Sequence, residues 1–93
     1  DEISTAGSLM GAVDVLKNAG AREIYVGCTH GVLCGPAIER IAASPVKEVV
    51  VTNTVPLPPE KRHPKIKTLS VAPLFAEAIK RTHTGQSIHS LFL

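Results

Sequence analysis

Two unbroken apolar runs, Ile24-Tyr25-Val26 and Val49-Val50-Val51, do most to limit what this chain can fold into. β-branched and aromatic residues favour extended backbone. Consecutive apolar residues place apolar groups on both faces of a strand, the pattern of a parallel sheet covered on either side. Segments of helical period lie around these runs. Leu9, Ala12, Val13, Leu16 and Ala19 recur at the spacing of one helix face and predict a helix over 5–18, stopped by Gly20. Gly11 inside it is expected to allow close packing against a strand. Gly35-Pro36 opens a second helix, with Ala37, Ile38, Ile41 and Ala42 as its apolar face and Ser44-Pro45 as its end. A third helix is expected over 73–82, with Leu74, Phe75, Ala78 and Ile79 on one face. Strands are expected over 22–28, 47–52 and 67–71, a turn over 29–34 and a charged, Pro-rich loop over 53–65. Strands alternating with helices give an α/β fold with a parallel sheet and flanking helices. Ligands of such sheets sit beyond the carboxyl ends of the strands.

Composition narrows the partners. The 93 residues allow one small domain. Aromatic content of 3% is low, so the core must rest on Val, Ile, Leu and Ala. A net charge of +2 with three aromatic residues gives little for nucleic acid to bind or stack on. No apolar run approaches the roughly 18 residues of a membrane span, and no secretory pattern opens the chain. Two cysteines make no disulfide framework, so the expected compartment is the reducing cytoplasm.

The opening segment is the candidate site. Ser4-Thr5-Ala6-Gly7-Ser8 is a run of small residues placed just before an amphipathic helix, with Asp1 and Glu2 ahead of it. Small side chains leave backbone N–H groups uncovered, and a helix start adds partial positive charge. Together these suit a phosphate group. Carboxylates beside the site could accept hydrogen bonds from sugar hydroxyls or hold a metal ion. The plainer alternative is a Ser/Thr cap on the helix. A loop of this kind is expected to follow a strand, and in this chain no strand precedes Asp1, so the first part of the sheet is expected to be missing from it.

The segment from Asp1 to Ser8 resembles the ribose-5-phosphate loop of the phosphoribosyl pyrophosphate synthetases, with carboxylates, a short spacer and a Thr-Ala-Gly-Thr-like run. The likeness continues through Thr29-His30-Gly31, Cys34-Gly35-Pro36-Ala37-Ile38, 50–56, 76–83 and the ending 87–92, in order along the whole chain. The resemblance implies a phosphoribosyltransferase-like (type I) fold, of which residues 1–93 would be the C-terminal part of the second domain. It implies transfer of the diphosphoryl group of Mg-ATP to the 1-hydroxyl of ribose 5-phosphate, giving phosphoribosyl pyrophosphate and AMP. Ribose 5-phosphate and ATP would be the small-molecule partners, with Mg2+ accompanying ATP, and the full-length protein would be a homo-oligomer. Asp1 would hold ribose hydroxyls. Ser4, Thr5, Ala6, Gly7 and Ser8 would cradle the 5-phosphate, with the Thr5 and Ser8 hydroxyls as added donors. ATP-binding elements, a metal-binding His and a basic catalytic loop would lie upstream, so no catalytic or metal-ligating residue is assigned here and the segment alone is expected to be inactive.

Departures from the pattern are local. The first carboxylate of the pair would precede Asp1; Ser4 stands where many members carry Asp, and Ser8 where many carry Thr. Both changes keep small polar groups. In the tail 87–93, Ser87 and Phe92 match a motif that in some members of the family contributes to an allosteric phosphate site, which the resemblance would place at Ser87, His89 and Phe92 although His89 replaces the usual Ser; the simpler reading is a tail whose Leu91 and Phe92 fill a groove. Cys28, His30 and Cys34 lack a fourth ligand and match no zinc spacing. Lys61, Arg62, His63, Lys65 and Lys67 read as a solvated basic loop, and Lys80 and Arg81 as cations offsetting a helix dipole. Two rival functions share parts of the pattern: a non-enzymatic synthetase-associated subunit, and a phosphoribosyltransferase. The intact 5–8 run argues against the first, and the 53–56 and 87–92 segments argue against the second.

Overall fold

The computed structural model describes residues 1–92. Its elements run β1 (Glu2–Ile3), α1 (Gly7–Asn18), β2 (Ile24–Gly31), α2 (Ala37–Ala43), β3 (Val46–Thr52), a 3-10 turn (Pro59–Lys61), β4 (Ile66–Leu69), α3 (Ala72–His83) and a second 3-10 turn (His89–Phe92). All four strands are parallel and lie in chain order, β1-β2-β3-β4. Because each crossover advances one strand in the same direction, a single handedness puts α1 and α2 on the same sheet face. Val13 of α1 and Ala37 and Ile41 of α2 accordingly share one core with Val46, Val49, Val51 and Ile66.

The opposite face differs from expectation. Along β2 burial alternates: Ile24 is buried, Tyr25 exposed and Val26 half-buried. Register places Tyr25, Gly27, Val50 and Leu69 on this second face, where Tyr25 and Leu69 are each 62% exposed. The consecutive apolar runs predict cover on both sides, and the described residues supply it on one. Tyr25 donates to Glu23 Oε2 at 3.1 Å, and that bond with the neighbouring negative charge raises the phenol above its usual pKa.

Other boundaries shift for local reasons. The chain at Glu2–Ile3, read from sequence as loop, forms a short strand beside His30–Gly31. β2 runs through Gly31 where a turn was expected. Positive φ at Ala6 delays the start of α1 by two residues, and Gly20 at φ 95 follows its end. Gly11 faces open space, so the expected close packing against a strand is not its role. Close approach is required at Gly31 instead, where an added Cβ would lie 2.9 Å from Val51 Cγ1.

None of residues 53–65 is buried, as their charge suggests, yet the two lysines reach back to the fold. Lys65 Nζ donates to the carbonyls of Ser44, Ala42 and Ile41 at 2.7, 3.1 and 3.4 Å, closing the C-terminal end of α2. Lys61 Nζ donates to Val32 O at 3.2 Å. No helix among the described residues is long and apolar enough to cross a membrane.

Candidate functional site

Backbone pairing carries the opening segment to the carboxyl end of the sheet. His30 N–H donates to Asp1 O at 2.8 Å, Leu33 N–H to Ile3 O at 2.9 Å and Cys34 N–H to Ser4 O at 2.9 Å. The pairing of β1 with β2 thus continues beyond Gly31 through Leu33 and Cys34, the last of these bonds lying past the ends of both strands. Leu33 takes φ 51 in this stretch and is buried. The Ser4 hydroxyl and the Cys34 thiol lie 3.1 Å apart.

Beyond Ser4 the chain turns sharply. Ala6, the N-cap of α1, sits at φ 67 and ψ 15, a left-handed conformation that costs a residue with a Cβ about 1–2 kcal/mol. Its side chain is buried, which holds the strained turn in place. No side chain caps the helix. The first N–H to bond back into the helix is that of Met10, to Ala6 O at 3.0 Å. Among the described residues the N–H groups of Thr5, Ala6, Gly7, Ser8 and Leu9 donate to no backbone carbonyl or side chain. They flank a cup of about 220 Å³ lined by residues 2–9. The Ser/Thr cap reading therefore fails, and an open set of donors at a helix start remains.

The residues named from sequence converge here in part. Ser4, Thr5, Ala6, Gly7 and Ser8 line the cup together. Asp1 is exposed at its edge of the sheet and is not among the lining residues, whereas Glu2 is. Arg40, which no sequence pattern singled out, reaches the loop from α2. Its Nη1 donates to Thr5 O at 3.0 Å, and a Cβ at Gly7 would lie 3.4 Å from that nitrogen. The 35-residue separation of Arg40 from Thr5 hides the contact from the sequence.

The remaining candidates lie elsewhere. His30 Nδ1 and Thr54 Oγ1 are 2.7 Å apart, and the Thr52 and Thr54 hydroxyls donate to Thr29 O at 2.7 and 3.2 Å. This network ties the ends of β2 and β3. Among the described residues no three His, Cys, Asp or Glu side chains converge as a metal site would require. In the tail, Ser87 Oγ accepts from His89 N–H at 3.2 Å, and both residues are exposed. Arg81 pairs with Glu77 at 3.0 Å and donates to Ser90 Oγ at 2.8 Å, so it anchors the tail as well as the helix end. The Phe92 side chain and Leu93 lie outside the described residues.

A parallel sheet with such a cup where its edge strand meets a helix defines an α/β domain of the phosphoribosyltransferase type. Comparison with known proteins fixes the family: residues 1–93 match the phosphoribosyl synthetase-associated domain, and the chain belongs to that family. Proteins named ribose-phosphate pyrophosphokinase are similar along 99% of the chain. Those of Rhodopirellula baltica and Caldanaerobacter subterraneus subsp. tengcongensis are 58% and 61% identical over 92 residues. The chain spans 29% of the length of each of these relatives. A crystal structure of phosphoribosylpyrophosphate synthetase from Mycobacterium smegmatis superposes with a TM-score of 0.89 at 42% identity, covering 91% of this chain and 28% of that one.

Proposed function

We propose that this chain supplies the ribose-5-phosphate site of a ribose-phosphate pyrophosphokinase. The observation that carries the reading is the run of free N–H groups from Thr5 to Leu9 around the cup. Fixed donors at a helix start suit a phosphate dianion, and the Thr5 and Ser8 hydroxyls add two more. Asp1, at the edge of the loop, would accept hydrogen bonds from the ribose hydroxyls. So held, the sugar presents its 1-hydroxyl to ATP. That oxygen attacks the β-phosphorus and gives up its proton to solvent, the bond from Pβ to the oxygen bridging to Pα breaks, and AMP departs with the pair. Such transfer depends chiefly on alignment and charge stabilisation.

The described residues do not fit a metal centre of their own, and no step of this account runs through Mg2+, which would enter with ATP. We place residues 1–8 as the substrate loop, 87–93 as a tail and the whole 1–93 as part of a second phosphoribosyltransferase-like domain. The tail is read as structural, tied through Arg81, in preference to a phosphate site at Ser87, His89 and Phe92. A cytoplasmic homo-oligomer, with this segment inactive alone, completes the reading. The family's description also fits a non-enzymatic synthetase-associated subunit; the open cup favours the enzyme. The test is AMP formation from ATP and ribose 5-phosphate by the full-length protein. Ribose-5-phosphate-dependent AMP supports the reading, and a folded protein without it favours the subunit.

A further inference from the structure

We infer that Arg40 is a positioning residue for the 5-phosphate cup, acting through the Thr5–Ala6 peptide. This rests on the ribose-5-phosphate reading of the cup and adds a residue to it. In a trans peptide the C=O and the following N–H point in opposite directions, and no peptide here is cis. Arg40 Nη1 holds Thr5 O at 3.0 Å. The Ala6 N–H of the same plane therefore points away from the guanidinium. Arg40 lines a separate groove with Met10, Val13, Asp14 and Ser44, and it is absent from the cup's walls. Holding the carbonyl behind thus presents the N–H in front.

Two further observations give this hold a purpose. Ala6 has positive φ, so the peptide before it sits in a conformation that residues with a Cβ leave readily. A hydrogen bond from a charged donor resists that rotation better than a neutral one. Arg40 also forms no ion pair among the described residues. Asp14 lines the same groove without pairing with it, and the guanidinium, close behind Gly7, adds attraction for an anion in the cup. One side chain thereby sets the direction of a donor and the sign of the local field.

The experiment compares wild type, Arg40→Lys and Arg40→Met in the full-length protein by calorimetric titration with ribose 5-phosphate and by steady-state kinetics. Arg40→Met is expected to weaken ribose 5-phosphate binding and raise its KM about tenfold. The KM for ATP and kcat at saturating substrates should stay within about twofold. Arg40→Lys, which keeps the charge and a donor, should recover most of the loss. Unchanged ribose 5-phosphate affinity in Arg40→Met overturns the positioning role while leaving the cup's function intact. A parallel rise in both KM values also overturns it, since that marks a general structural effect. A wild-type protein that binds no ribose 5-phosphate overturns the cup reading itself. Should Arg40→Met not fold, Arg40→Gln is read by the same criteria.

Discussion

Gly31 is set by space, because Val51 Cγ1 occupies the position its Cβ would approach. Gly31→Ala must displace a fully packed valine in a core with little room to yield, and should lower unfolding free energy by about 1–3 kcal/mol. Denaturant unfolding of the protein checks this; a change below about half a kcal/mol would contradict the packing argument. The run Ser4 to Ser8, whose residues line the cup together, is visible in the sequence because small side chains are a matter of residue type alone. Gly31 was visible only as part of a motif, and Gly11 was misassigned, because a glycine does not disclose which neighbour it makes room for. Arg40 was hidden for a related reason. Its partner is a backbone carbonyl, which leaves no mark on sequence.

At the scale of elements, helix and strand order followed from periodicity and β-branched runs, with boundaries moved by the Ala6 turn and by the β1–β2 pairing. Charge in the 53–65 connection signals exposure, which holds for Arg62, but it hides the partners that Lys61 and Lys65 find. Long lysine stems can lie along the fold while their ammonium groups find carbonyls. Lys65 gathers three carbonyls at the end of α2, a short helix that ends with Ser44 in extended backbone. Lys65→Met keeps the stem and removes the donors, and should cost about 1–2 kcal/mol. Faster amide hydrogen exchange confined to α2 and the 53–65 connection would accompany it. Unaltered exchange there would show that Lys65 is dispensable to the helix end.

The whole molecule is spread out. Its radius of gyration is 16.1 Å, against about 12 Å for a compact domain of this length. No residue of α3 is buried, and Phe75 and Ile79 are 52% and 69% exposed. With Tyr25 and Leu69 on the second sheet face also exposed, apolar side chains lie open on both α3 and the sheet, the kind of surface that marks an interaction site. Expressed alone the chain should self-associate, seen as concentration-dependent sedimentation; a single monomeric boundary across a hundredfold range would contradict this. The consecutive apolar runs pointed to two-sided burial, but a pattern of residues names the need for cover without naming what provides it.

The central claim is that residues 2–9 form a ribose-5-phosphate cup. Calorimetric titration of the full-length protein with ribose 5-phosphate, beside the same titration with ribose, tests it most directly. Saturable binding of ribose 5-phosphate is expected, about tenfold or more tighter than binding of ribose, if the free N–H groups recognise the phosphate. Equal affinity for the two sugars, or no binding of ribose 5-phosphate, would contradict it.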